Sequence, residues 1–72
     1  MLEAVKTGEK LKRYRRAAAL TQRDLGERAD VAQATIAEIE GGRIREPRPR
    51  TLKALADALD VTPLDLLDDV GE

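Results

Sequence analysis

Apolar residues recur every three or four positions along almost the whole chain, and no stretch alternates strictly between apolar and polar. That period puts one face of a helix against a core, so it predicts helices and no strands. A first helix is expected from about Gly8 to Ala18, with Thr7 as N-cap and Leu11, Tyr14 and Ala18 facing inward. Thr21-Gln22-Arg23-Asp24 has the form of a capping box with Asp in place of Glu. It opens a second helix that runs to about Ala29, with Leu20 and Leu25 as a hydrophobic staple across the cap. After a turn at Asp30-Val31, a third helix runs from about Gln33 to Glu40 with Ile36 and Ile39 inward. Ala32 holds its N-cap position, where Ser or Thr would bond a free N–H. Gly41-Gly42 ends it, since glycine tolerates the left-handed conformation of a helix end. Pro47 and Pro49 keep residues 43–48 in a loop, and Pro49 opens a fourth helix whose inner face is Leu52, Leu55, Ala56 and Leu59. Thr62-Pro63-Leu64-Asp65 is a second capping box and starts a short fifth helix to about Leu67, after which residues 68–72 are expected to fray. The expected fold class is all-α: five short helices in one compact domain spanning residues 1–72, without linker, repeat or low-complexity segment.

Composition narrows the chemistry. The 72 residues include no Cys and no His, which removes disulfides, Cys/His zinc sites and the usual nucleophile–base pairs. No glycine-rich loop precedes a Lys-Ser or Lys-Thr pair. Neither an enzymatic role nor a cofactor or metal is expected. No apolar run approaches the ~20 residues a membrane span needs, and residues 1–6 lack the apolar core of a signal peptide. A soluble cytoplasmic protein without a sensor domain is therefore the expectation.

The net charge of -1 hides a polarised distribution. Residues 6–16 carry six basic groups (Lys6, Lys10, Lys12, Arg13, Arg15, Arg16) against Glu9. Residues 43–53 carry Arg43, Arg45, Arg48, Arg50 and Lys53 against Glu46. Residues 57–72 carry six acids and no base. Such a molecule attracts a polyanion to one side and points its acidic end away, although solvated helix faces account for the charges equally well.

The informative stretch is 21–42. A short helix, a tight turn and a second short helix match a helix-turn-helix in length, and Gly26 and Ala29 supply small residues where two helices cross. Glycine in mid-helix costs about 1 kcal/mol relative to Ala, so close approach of another backbone at Gly26 is expected. On the third helix the outward positions are Gln33, Ala34, Ala37 and Glu38. Gln pairs with the N6/N7 edge of adenine, Ala packs on a thymine methyl, and Glu accepts from cytosine N4 while repelling phosphate.

Residues 20–29, then Val31, Thr35-Ile36 and Ile39-Glu40-Gly41-Gly42-Arg43, resemble the phage repressor and Cro-like (xenobiotic-response-element) helix-turn-helix family. Residues 49–63 continue the resemblance through a fourth and fifth helix, so that it covers about residues 7–67. The resemblance implies a lambda-repressor-like fold, with the helix-turn-helix at helices two and three and helix three in the major groove of double-stranded DNA. It implies a contact set of Gln22, Arg23, Gln33, Ala34, Thr35, Ala37, Glu38, Arg43, Arg45 and Arg48. Gln22 would bond a phosphate and brace Gln33, and the arginines would meet the backbone. Arg15 and Glu40 would form a partly buried ion pair, with Arg15 also near a phosphate. The Ala32 cap and the acidic Glu38 depart from the family pattern, and both weaken generic affinity for DNA.

A transcription regulator, most simply a repressor, bound as a homodimer to a palindrome is the first expectation. Leu64, Leu66 and Leu67 are candidates for the dimer surface, with core packing the weightier account of them. The alternative is an antitoxin or protein-interaction adaptor on the same fold, partnered by a toxin or another protein.

Overall fold

The computed structural model describes residues 6–67; the expected fraying of 68–72 lies outside them. Five helices follow one another in the expected order: α1 (Thr7–Ala17), α2 (Gln22–Ala29), α3 (Gln33–Glu40), α4 (Pro49–Ala58) and α5 (Pro63–Leu66). There are no strands among the described residues. Helix α1 packs on α3 and α5, α2 on α3 and α4, and α4 on α5, so each helix touches at least two others. The core is Leu11, Leu25, Ile36, Ile39, Leu52, Leu55, Ala56 and Leu66, with Tyr14, Leu20, Val31, Ile44 and Leu59 packed around it. Each of these is an inner-face position of its helix or a residue at the turn beside it, which is how a chain this short closes a core.

The helix starts follow the local chemistry. At α2, the Thr21 Oγ accepts from the Asp24 N–H at 3.0 Å and the Asp24 carboxylate accepts from the Thr21 N–H at 3.1 Å, a complete capping box. The Thr21 backbone bond comes first in holding the Asp24 carboxyl below its ordinary range, and the Thr21 side chain adds to it. At α5 the Asp65 carboxylate accepts from the Thr62 N–H at 2.9 Å and from the Thr62 hydroxyl at 3.0 Å, and Pro63 takes the first helical position. Pro49 does the same for α4. Ala32, as expected, caps α3 without a side-chain hydrogen bond.

Several local expectations are corrected. Thr7 is the first residue of α1 and is buried, while Lys6 occupies the cap position without a side-chain bond. Ala18 is the exposed C-cap of α1 rather than an inner-face residue, and the inward row there continues through Arg15. Helix α5 ends at Leu66, one residue short of Leu67. Of the pair ending α3, only Gly42 is left-handed (φ 85°), whereas Gly41 keeps a right-handed φ of -81°.

The helix ends share one device. After α1, Leu20 N–H bonds Arg15 O and Ala19 N–H bonds Arg16 O. After α3, Arg43 N–H bonds Glu38 O and Gly42 N–H bonds Ile39 O. After α4, Val61 N–H bonds Ala56 O and Asp60 N–H bonds Asp57 O. These are Schellman closures, each requiring one left-handed residue. Gly42 supplies it once; Ala19 (φ 59°) and Asp60 (φ 59°) supply it at the other two, and Asp30 (φ 57°) is left-handed at the end of α2. Among the described residues no helix is long and apolar enough to cross a membrane.

Candidate nucleic-acid interface

The turn between α2 and α3 sets their relative placement. Left-handed Asp30 reverses the chain, and Val31 N–H bonds back to Gly26 O at 3.0 Å. A Cβ on Gly26 would stand 2.6 Å from Val31 O, 3.5 Å from Gln33 N and 3.6 Å from Ile36 Cδ1. The expected close approach of backbone at Gly26 is therefore real, and the backbone that approaches is the turn itself together with the first residue of α3. Gly8 plays the same part on the other side of α3: a Cβ there would overlap the Ile39 carbonyl oxygen. Both ends of α3 thus rest on glycines of neighbouring helices. Gly8 gave no sign of this in the sequence, where it read as an ordinary helix start.

A polar cluster fixes the C-terminal end of α3. Arg15 Nε donates to Glu40 Oε2 at 2.7 Å and Nη2 donates to Oε1 at 2.9 Å, a two-point fork, while Nη1 donates to the Leu20 carbonyl at 2.8 Å. Gln22 Nε2 donates to Glu40 Oε1 at 3.1 Å. The side chains of Arg15 and Glu40 are only 11% and 4% exposed, so the pair is deeply placed and not a surface contact. Burial pushes the Glu40 carboxyl up. The bonds from Arg15 and Gln22, with the Arg15 charge, outweigh this and hold it below the ordinary carboxylate range. The bond to Glu40 raises the Arg15 guanidinium against the opposing effect of burial. No buried side-chain nitrogen or oxygen among the described residues lacks a partner.

This cluster ties three helices together: α1 through Arg15, α2 through Gln22 and α3 through Glu40. It also bears on two of the residues expected to meet DNA. Gln22 is bonded to Glu40, and no hydrogen bond joins it to Gln33 among the described residues. Arg15 is buried with all three guanidinium nitrogens engaged, which makes it part of the frame that holds α3. The periodicity placed Gln22 at a helix start but carried no information about a partner eighteen positions away.

The remaining candidate residues lie on α2, α3 and the loop after α3. Gln33, Ala34 and Glu38 are exposed along α3, and Thr35 and Ala37 are half-buried at its flanks. Arg23 is exposed on α2 and pairs with Glu27 at 3.5 Å, a loose contact one turn apart. Arg43, Arg45 and Arg48 are exposed on the loop after α3 and form no ion pair among the described residues. Arg43 and Ile44 both donate backbone N–H groups to Glu38 O, at 2.9 and 3.1 Å, which anchors the start of that arginine loop to the end of α3. The result is an exposed, short-side-chained helix face beside three free arginines, carried on a helix fixed at both ends.

This geometry, two short helices joined through a left-handed turn with the second one outward, is that of a helix-turn-helix domain. The chain belongs to the family described as helix-turn-helix domain, which matches residues 7–70. Among curated proteins it is similar to RghRB of Bacillus subtilis (strain 168), described as an uncharacterized HTH-type transcriptional regulator, with 38% identity over 64 residues. That match takes in 89% of this chain but 46% of the relative, so the chain spans about half of that regulator's length. Among solved structures it is similar to SinR, described as the master regulator for biofilm formation, in complex with DNA. There the TM-score is 0.81 and the identity 28%, over 83% of this chain and 95% of that one. It is similar also to the restriction-modification controller protein C.AhdI from Aeromonas hydrophila, with TM-score 0.80 and 30% identity over 88% and 94% of the two chains. These neighbours and the family match bear out the five-helix all-α fold and the resemblance read from residues 20–43 and 49–63.

Proposed function

We propose that this chain is a sequence-specific double-stranded DNA-binding domain of a transcription regulator, acting as a repressor, with α3 in the major groove. The observation that carries the reading is the exposed row Gln33, Ala34 and Glu38 on a helix held by the Arg15–Glu40–Gln22 cluster. A major groove admits a helix, and these short or flexible side chains reach base edges without keeping the backbone at a distance. Gln33 reads adenine, Ala34 and Ala37 meet thymine methyls, and Gln22, Arg23, Thr35, Arg43, Arg45 and Arg48 hold the phosphates that set register. Because Gln22 is already bonded to Glu40, its phosphate contact uses whatever donor capacity that bond leaves, and Glu40 orients it. SinR, which was solved in complex with DNA, supports the same reading.

A domain this small binds one half-site weakly, so the reading includes a homodimer whose two α3 helices lie about 34 Å apart on a palindrome. Of the three leucines considered for the dimer surface, Leu66 is fully buried in the core, which leaves Leu64 (75% exposed) and Leu67 (43% exposed).

Titration against random-sequence duplex over about 50 to 200 mM salt tests the phosphate part. The affinity falls steeply with salt, and Arg43→Ala or Arg45→Ala each reduces the logarithmic slope by about 1. A slope unchanged in both variants would remove the arginine loop from the interface.

A further inference from the structure

Glu38 is the one acidic residue on the exposed row of α3. The other acid of that helix, Glu40, is sunk in the three-helix cluster. Glu38 forms no ion pair among the described residues, whereas Glu27, Glu40 and Asp57 each have one. Only its backbone is used, as the acceptor for Arg43 and Ile44. Its position is also unfavourable for the helix. It lies in the last turn of α3, a turn without a basic residue, where an anion meets the negative end of the helix dipole. The side chain therefore contributes nothing visible to the fold.

We propose that Glu38 is a specificity filter, making tight binding conditional on the base that faces it in the major groove being one with an exocyclic amino group there, cytosine or adenine, and not guanine or thymine. This rests on the reading of α3 as the DNA-contacting helix. An ionised carboxylate only accepts hydrogen bonds. In the groove it sits within the field of the phosphates and loses water. That loss is offset where the facing base edge presents cytosine N4 or adenine N6 amino hydrogens, and is left uncompensated against guanine O6 and N7 or thymine O4. Arg43, Arg45 and Arg48 attract every duplex alike. Glu38 subtracts from that attraction everywhere except at a matching site, and specificity is the difference between the two affinities.

The test compares the wild-type chain with Glu38→Gln, which keeps the shape and can donate as well as accept. Both are selected against a randomised duplex pool, titrated with random duplex at low salt, and melted. Glu38→Gln melts at or above the wild-type temperature. It binds random duplex about tenfold more tightly and loses base preference at one position while keeping the others. An unchanged preference at every position, or random-duplex affinity that stays level or falls, overturns the filter while leaving α3 as the reading helix. A wild-type chain that enriches no site removes the DNA reading, and the filter with it.

Discussion

Ala19 occupies a conformation that L-residues other than Gly, Asn and Asp rarely adopt. Its φ of 59° completes the Schellman closure after α1 and brings the chain round to Leu20, whose carbonyl then accepts from Arg15. For an L-alanine this costs about 1–2 kcal/mol, because Cβ crowds the following carbonyl. Glycine relieves the crowding, and its greater freedom in the unfolded chain offsets part of the gain. Ala19→Gly is therefore expected to stabilise the domain by about 1 kcal/mol, raising Tm by about 4–8 °C for a domain this size. A thermal melt with no rise would show that the strain is relieved elsewhere. The sequence concealed this position: the first helix was expected to end near Ala18, but an alanine at 19 carries no sign of a left-handed φ. Thr7 misled for a related reason. Its hydroxyl suits a cap, but Thr7 is the first residue of α1 and lies buried beside Gly8, which rests against the end of α3.

At the scale of elements, the helices that present the site were the most legible. Both ends of α2 and the end of α3 are marked by short-range chemistry, a capping box, a turn at Asp30-Val31 and a glycine pair, whereas α3 starts after Ala32 without a side-chain cap and was read from its periodicity. What the local pattern could not show is the tie between elements. Family resemblance supplied the Arg15–Glu40 pair, and the structure adds its depth and its third member, Gln22. The tie has a consequence for acid stability. The folded Glu40 carboxyl lies below its ordinary value, so the ionised group stabilises the fold at pH above the unfolded carboxylate range, about 4.3. That contribution is lost as pH falls through the folded value. Glu40→Gln leaves the buried Arg15 charge without its counter-charge and should cost about 3 kcal/mol at neutral pH. The gap to wild type should then narrow as both are unfolded at progressively lower pH. Denaturant titrations showing the same gap at about pH 7 and about pH 3 would contradict a stabilising ionised Glu40.

For the molecule as a whole, a buried frame carries an exposed face. Buried groups fix α3: Gly8 and Gly26 by closeness, Arg15 and Glu40 by charge, Ile36 and Ile39 by burial. The exposed groups, to which the proposal assigns recognition, divide into Gln33, Ala34 and Glu38 along the helix and the arginines on the loop beyond it. The polarised charge read from the sequence acquires a location here, since Arg43, Arg45 and Arg48 stand on a loop anchored to the end of α3. Residues of the frame were partly hidden in the sequence because they depend on distant partners, while the contact row was open to reading because helical period alone turns it outward. The central claim is that Gln33 reads a base from α3. It is tested most directly by selection of duplexes from a randomised pool with the wild-type chain and with Gln33→Ala in parallel. The wild type is expected to enrich a palindrome, and Gln33→Ala to relax it at one base pair of each half-site. Enrichment of the same site with the same base preferences by both proteins would contradict it.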